Sequence, residues 1–300
     1  MGSHCSKNRS CRNYVTPTQK SNVREILKRE HEHIMQGIVA FSCNISLENK
    51  NMKKNRYPDA PCFDYNRVVL PIRKGLDDYI NASYVDGHNM KRRFICTQGP
   101  LEETALDFWQ AVYQDRVRVI VMITKTYEDN KQKCYPYWMT HERSTVTYGE
   151  LKIRTKKIKS FRNYKVTTLC LTNTNTGTVL DIKHFAYEDW PQGGVPSDVN
   201  NFLDFVLAVR HADSKTEVPI SSESRVKESP ILVHSSAGLD RAPAFCVIDI
   251  CISKYSESAI IPLLTTVRDL RRQRNNCLSL STQYIFCYFT VLQFVMSTPC

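Results

Sequence analysis

Pro230-Ile231-Leu232-Val233-His234-Ser235-Ser236-Ala237-Gly238-Leu239-Asp240-Arg241-Ala242-Pro243-Ala244-Phe245 is the stretch whose reading decides the fold. Ile231 to His234 is a short apolar, β-branched run, the pattern of a buried strand. Ala242 to Tyr255 reads as a helix, and Pro243 is tolerated in a helix's first turn. Ser235 to Arg241 is left as a tight loop between them. Two readings stand. One is a plain strand-to-helix turn. The other is an anion site, in which successive backbone N–H groups point inward, the helix dipole adds positive potential and Arg241 grips two oxygens.

Outward from that loop, strand-like runs cover Tyr79 to Val85, Arg93 to Thr97, Arg118 to Ile123, Val146 to Ile153, Lys165 to Leu171 and Val179 to Tyr187. Helical runs cover Asn22 to Gly37, Thr104 to Gln114, Ser197 to His211, Pro262 to Arg272 and Ser281 to Met296. The mixture predicts an α/β (α+β) domain with a central twisted mixed sheet flanked by helices. Residues 1–21 are polar, basic and poor in large apolar groups, so they read as a flexible tail ahead of one domain at 22–297. Residues 213–229 read as a polar surface loop.

Length and composition set limits. The 300 residues suffice for a substantial core, and 42% hydrophobic with 24% charged residues is ordinary for a soluble protein. No stretch is apolar enough to span a bilayer, and there is no signal-peptide run, so a cytoplasmic location is expected. The 12 cysteines contain no CxxC pair. Several lie in apolar runs, which favours free buried thiols over a disulfide scaffold. A net charge of +11 suits an anionic partner, a phosphoprotein or a membrane surface; nucleic acid is not expected.

The order of further blocks resembles the protein-tyrosine phosphatases. Lys54-Asn55-Arg56-Tyr57-Pro58-Asp59 with Asn66-Arg67-Val68 is similar to the family's opening signature, and Asp78-Tyr79-Ile80-Asn81-Ala82-Ser83 to its next block. Thr97-Gln98-Gly99-Pro100-Leu101, Asp107-Phe108-Trp109, Lys133-Cys134 with Tyr137-Trp138, and Trp190-Pro191 with Gly194-Val195-Pro196 follow in family order. Gln273-Arg274 and Gln283-Tyr284 complete the series, so the resemblance runs from about residue 25 to 296. Within the family, the chain most resembles the catalytically degenerate proteins of polydnaviruses, the bracoviruses. The resemblance implies a single tyrosine-phosphatase domain. Its phosphate-binding loop would be Ser236, Ala237, Gly238, Leu239, Asp240 and Arg241. Tyr57, Asp59 and Lys133 would recognise phosphotyrosine and its peptide. Tyr57 has a packed-loop reading beside that one, and Arg241 the reading of an ion pair to Glu128 or another acid. No cofactor and no metal is implied.

The departures fall on the chemistry. Ser235 stands where the family has its cysteine nucleophile, and Gln192 where it has the aspartic general acid. Asp240 replaces a loop glycine, and Ala242 the hydroxyl residue that assists breakdown of the phosphoenzyme. Ser279 replaces a water-positioning glutamine, while Gln283 is retained. A serine hydroxyl is far less acidic than a thiol and needs a general base. The expected protein is therefore not an enzyme but a pseudophosphatase that binds host phosphotyrosine or signalling proteins, by resemblance suppressing insect immune-cell functions. Two alternatives remain: an interaction scaffold with an unused pocket, and a weak residual phosphatase. Finally, Met1-Gly2-Ser3-His4-Cys5-Ser6 matches a myristoylation pattern at Gly2 with an acylatable Cys5, which predicts membrane association through the N-terminus. An ordinary tail that fits a short pattern is the other reading.

Overall fold

The computed structural model describes residues 17–37, 41–72, 77–215 and 229–298. In chain order the elements are α1 (Pro17–Gln36), α2 (Asn44–Leu47), α3 (Asn49–Met52), β1 (Arg67–Val69), β2 (Tyr79–Val85), β3 (Phe94–Gln98), α4 (Ala105–Gln114), β4 (Val119–Met122), β5 (Tyr127–Glu128) and β6 (Lys131–Gln132). Then come β7 (Thr145–Tyr148), β8 (Leu151–Ser160), β9 (Tyr164–Asn173), β10 (Val179–Tyr187), α5 (Val199–Ser214), β11 (Ile231–Ser235), α6 (Arg241–Ser258), α7 (Leu263–Gln273) and α8 (Ser281–Ser297).

Nine strands form one sheet in the order β1-β2-β3-β11-β4-β10-β9-β8-β7, and β5 and β6 pair separately as an antiparallel hairpin. β11 pairs in parallel with β3 and β4, and β10 with β4; the outer pairs are antiparallel. This is the expected mixed sheet flanked by helices. Side chains alternate across a strand, so consecutive residues of one strand feed two cores. Ile231 and Val233 join Val119, Val121 and Phe185 beneath α5, α6, α7 and α8. Leu232 joins Ile120, Met122 and the α4 residues Phe108 and Trp109 on the other face. His234 has the parity of Leu232 and packs edge-on against Phe108. β11 is thus covered on both faces, and its C-terminal end carries the loop at Ser235 to Arg241.

Several boundaries differ from the sequence reading. The run Val146 to Ile153 is two strands, not one: β7 and β8 pair with Tyr148 opposite Leu151. The reversal between them is the pair Gly149-Glu150, with Gly149 at φ +55°, a left-handed conformation that glycine adopts without steric cost. α1 begins at Pro17 rather than Asn22, and α5 extends to Ser214, into the segment read as loop. The rest of the expected tail, at 1–16, and of that loop, at 216–228, lies outside the described residues. Each described cysteine is a free thiol. Among the described residues no helix is long and apolar enough to cross a membrane.

Candidate functional site

The loop after β11 is held from behind by two close approaches. Gly238 has φ +69°, and a Cβ there would meet the Thr97 carbonyl oxygen at 2.2 Å. A Cβ on Gly99 would meet the Lys133 carbonyl oxygen at 2.9 Å and the Ser235 carbonyl oxygen at 3.1 Å. Only glycine lets these backbones pack so tightly. Gly99 N–H donates to Ser236 O (3.0 Å) and Leu278 N–H to Leu239 O (2.8 Å).

Beneath the loop lies Arg274, fully buried. Its Nε donates to Gly238 O (3.2 Å), and its Nη2 to Ala237 O (3.3 Å) and Asn81 Oδ1 (2.7 Å). Nη1 donates to Ser83 Oγ (3.3 Å). These acceptors are all neutral, so the guanidinium keeps its positive field directly under the loop. The sequence reading placed Arg274 in a matching block but gave it no role. A charged residue between Gln273 and Asn275, in a chain rich in surface arginines, carries no local sign of burial.

Among the described residues, the backbone N–H groups of Ser236, Ala237, Leu239 and Asp240 donate to no acceptor. The Gly238 N–H donates to Ser235 Oγ at 3.2 Å. Such a row of amides at a helix N-terminus is a cradle for an anion. Arg241 closes it. Its Nη1 and Nη2 each donate to one oxygen of Glu128, at 2.6 and 2.9 Å. Burial would raise the Glu128 carboxyl, but the hydrogen bonds and charge of Arg241, with hydrogen bonds from Lys125 N–H and the Thr124 hydroxyl, together outweigh it and hold the pKa below the usual range. The ion-pair reading of Arg241 therefore holds. Two N–H bonds are committed, and a guanidinium has five, so the pair positions Arg241 without exhausting it.

Tyr57 lies beside the phosphate loop. Its loop is fixed by Arg56, whose guanidinium donates to Gly99 O (3.0 Å), Gln132 O (2.9 Å) and Pro100 O (2.7 Å). Lys54 adds ion pairs to Asp77 (2.6 Å) and Asp107 (2.9 Å). The half-buried Tyr57 then lies with its hydroxyl 2.9 Å from Ser236 Oγ. That hydroxyl contact sets Tyr57 at the border of the loop. Asp59 is exposed nearby, and Lys133 is half-buried next to Cys134.

The chemical positions are less well supported. Ser235 is buried, and the ring preceding it is His234. His234 Nε2 and His184 Nε2 each lie 2.7 Å from Tyr137 Oη. Burial drives both imidazoles down to a pKa of about 3. Both are neutral at physiological pH, so the single phenolic proton goes to one ring and the phenolic oxygen accepts from the other. A ring that weakly basic is a poor acceptor for a serine proton.

Gln192 is exposed at the tip of the loop after β10, where Gly193 has φ +69°. The buried Trp190 anchors this loop by an Nε1 bond to Gly194 O (2.8 Å) and ring contacts with Phe202 and Phe286. Ser279 is exposed. Gln283 is buried, and its Oε1 finds no donor among the described residues. Asp240 turns its carboxyl inward: Oδ1 is buried without a hydrogen-bond partner. Burial raises its pKa, with Arg241 pulling the other way. Ala242 is buried in the first turn of α6. No group of three His, Cys, Asp or Glu among the described residues is arranged to hold a metal ion. Gly2 and Cys5 lie outside the described residues.

The sequence pattern of the protein-tyrosine phosphatases matches residues 51–293. The chain is 40% identical to tyrosine phosphatase H2 of Microplitis demolitor bracovirus, over 95% of this chain and 88% of that protein. It is 32% identical to tyrosine phosphatase H3 of the same virus, over 97% of this chain and 96% of the relative. With human tyrosine-protein phosphatase non-receptor type 9 it shares 36% identity over 98% of this chain, which spans about half, 49%, of that longer protein.

Proposed function

We propose that this chain, which belongs to the protein-tyrosine phosphatase family, is a pseudophosphatase that holds phosphotyrosine side chains of partner proteins without hydrolysing them. One observation carries the reading. The loop amides, Arg241 and Tyr57 surround Ser235, which follows His234, an imidazole whose pKa burial drives down to about 3, and that arrangement supports anion binding without a competent base. Loss of a nucleophile costs about 10⁶ in turnover in another hydrolase. Loss of a general acid, here the Gln192 position, costs about 10²–10⁴. Likeness to the bracovirus proteins suggests the setting, interference with phosphotyrosine signalling in host immune cells. An N-terminal acyl group on Gly2 would place the protein at the membrane where such signalling begins.

A second reading, a scaffold that leaves the pocket unused, is favoured by Asp240. A carboxylate about 5 Å from a phosphate costs on the order of 3 kcal/mol at an effective dielectric near 20. The upward pKa shift of Asp240 softens this by making the neutral form easier to reach. Calorimetry with a phosphotyrosine peptide, run beside an aryl-phosphate hydrolysis assay, decides. Binding without turnover supports the first reading. Equal affinities for wild type, Asp240→Gly and Arg241→Ala mean the pocket is idle. Turnover within tenfold of an ordinary family enzyme overturns both.

A further inference from the structure

The sheet outruns its helical layer. α5 packs over β4 and the C-terminal half of β10, where Phe185 and Tyr187 meet Phe202 and Phe205. Side chains of the same parity earlier in β10 are Val179, Asp181 and Lys183, and all are exposed. Across the register lie Thr172, Cys170 and Thr168 on β9, then Lys152, Arg154 and Lys157 on β8. Lys159 continues the row opposite Val166. A bulge between Thr155 and Lys157 adds one more cation: Lys156 reaches Asp181 on the same face, at 2.6 Å. The β8 cations are all exposed.

Among the strand residues facing this way Asp181 is the one carboxylate, so the face is strongly cationic. Its geometry is an open lattice. Residues of like parity are about 6.6 Å apart along a strand, and strands are about 4.8 Å apart. At the end of the lattice, the β8–β9 turn presents Phe161, 49% exposed and stacked on Tyr164 at 4.6 Å, followed by the exposed Arg162.

We propose that this uncovered face of β8, β9 and β10 is a docking surface for the anionic headgroups of a phospholipid bilayer. A spread lattice of lysines without a specific grip suits a laterally mobile field of negative charge. An exposed aromatic ring flanked by cations is the combination that lodges at a membrane interface. Single-stranded nucleic acid would call for ring platforms among the cations, and the lattice has none. None of its residues belongs to the N-terminal acylation pattern or to the phosphate loop. Asn163 of the same turn lines a cavity with Trp190 and Pro191, so docking would bring the acid-loop side of the domain toward the membrane.

The test uses the full chain carrying Gly2→Ala and Cys5→Ser, which removes both acylation candidates. Sedimentation is measured with phosphatidylcholine vesicles, with and without one-fifth phosphatidylserine. Binding is expected only with phosphatidylserine, and it should weaken as salt rises. Combined Lys152→Gln, Lys157→Gln and Lys183→Gln should lower partitioning on the order of a hundredfold, about fivefold per charge. Phe161→Ala should lower it severalfold. Lys28→Gln, Lys53→Gln and Lys131→Gln together, an equal loss of charge elsewhere, should change it less than threefold. The proposal fails if both triple variants lose binding equally, if neither does, or if polyglutamate is bound and phosphatidylserine vesicles are not. The last result would assign the face to an acidic protein.

Discussion

The floor of the phosphate loop and its rim are built on different terms. On the floor, Arg274, Gly238 and Gly99 each answer to several partners at once, and a change at any of them leaves buried backbone groups unpaired or overlapping. At the rim, Gln192 and Ser279 are exposed, and Asp240 keeps a buried oxygen without a partner. Groups that hold the loop are over-determined by the fold; groups that would do the chemistry are not. On the proposed reading, the shape can outlast the reaction, because the exposed side chains of Gln192 and Ser279 contribute little that the fold depends on.

The contrast is broken most directly by rebuilding the rim. Ser235→Cys, Gln192→Asp and Asp240→Gly together should raise aryl-phosphate turnover by about 10⁴ or more over wild type, on the order of 5 kcal/mol in barrier. Ser235→Cys alone should recover a small part of that, since the acid is still missing. Steady-state hydrolysis measures both. Full activity from the single change would mean the rest of the rim matters less than argued.

Next in size is the floor. Arg274→Met should cost on the order of 4 kcal/mol, because it strands Asn81 Oδ1 and the Gly238 and Ala237 carbonyl oxygens in a buried site. The urea midpoint should fall with the slope unchanged. A loss below about 1 kcal/mol would show that the floor is not what holds the loop.

Asp240 joins the two regions, and its sign can be worked out. Its pKa is raised in the folded state, so between the unfolded and folded values the native form holds a proton that the unfolded form has lost. Its contribution to stability is present at low pH and is lost as pH rises through the folded value. Asp240→Asn should remove that decline. The variant's stability relative to wild type should therefore grow between about pH 4 and pH 7. Paired urea titrations at the two pH values test it; a difference of opposite sign would place the carboxylate in a favourable contact. Glu128 runs the other way: its pKa is lowered, and its contribution is lost as pH falls. That is why the comparison must be between variants rather than of wild type alone.

The smallest effect sharpens the contrast. Gln192→Ala should change stability by less than about 0.5 kcal/mol, as for an exposed tip whose side chain makes no hydrogen bond among the described residues. A larger drop in the denaturation midpoint would show that the rim is structural after all.

The legible parts were those written locally. β2, β10 and β11 are continuous β-branched or aromatic runs, and the loop from Ser235 to Arg241 sits in a strand-to-helix transition that period and spacing disclose. The Glu128 pairing of Arg241 was already among the readings of the sequence. What escaped was either too short or too distant. The two-residue turn at Gly149-Glu150 breaks a run of β-formers without changing their character, so two strands read as one. β1, β5 and β6 are too short to show a period. Arg274 escaped because its partners lie 36 and 37 residues back in the loop and 191 and 193 residues back on β2.

Those separations have a consequence for how the protein is made. β2, which supplies Asn81 and Ser83, leaves the ribosome early, and the loop follows much later. The residue that braces the loop from below is synthesised later still, and α8 after it. A nascent or truncated chain ending before Arg274 has the amide row without its brace, and the Leu239 carbonyl without the Leu278 N–H that caps it. The anion-holding capacity proposed above should therefore arrive only once Arg274 and Leu278 have been made. Premature termination products would be unable to compete for the same ligands.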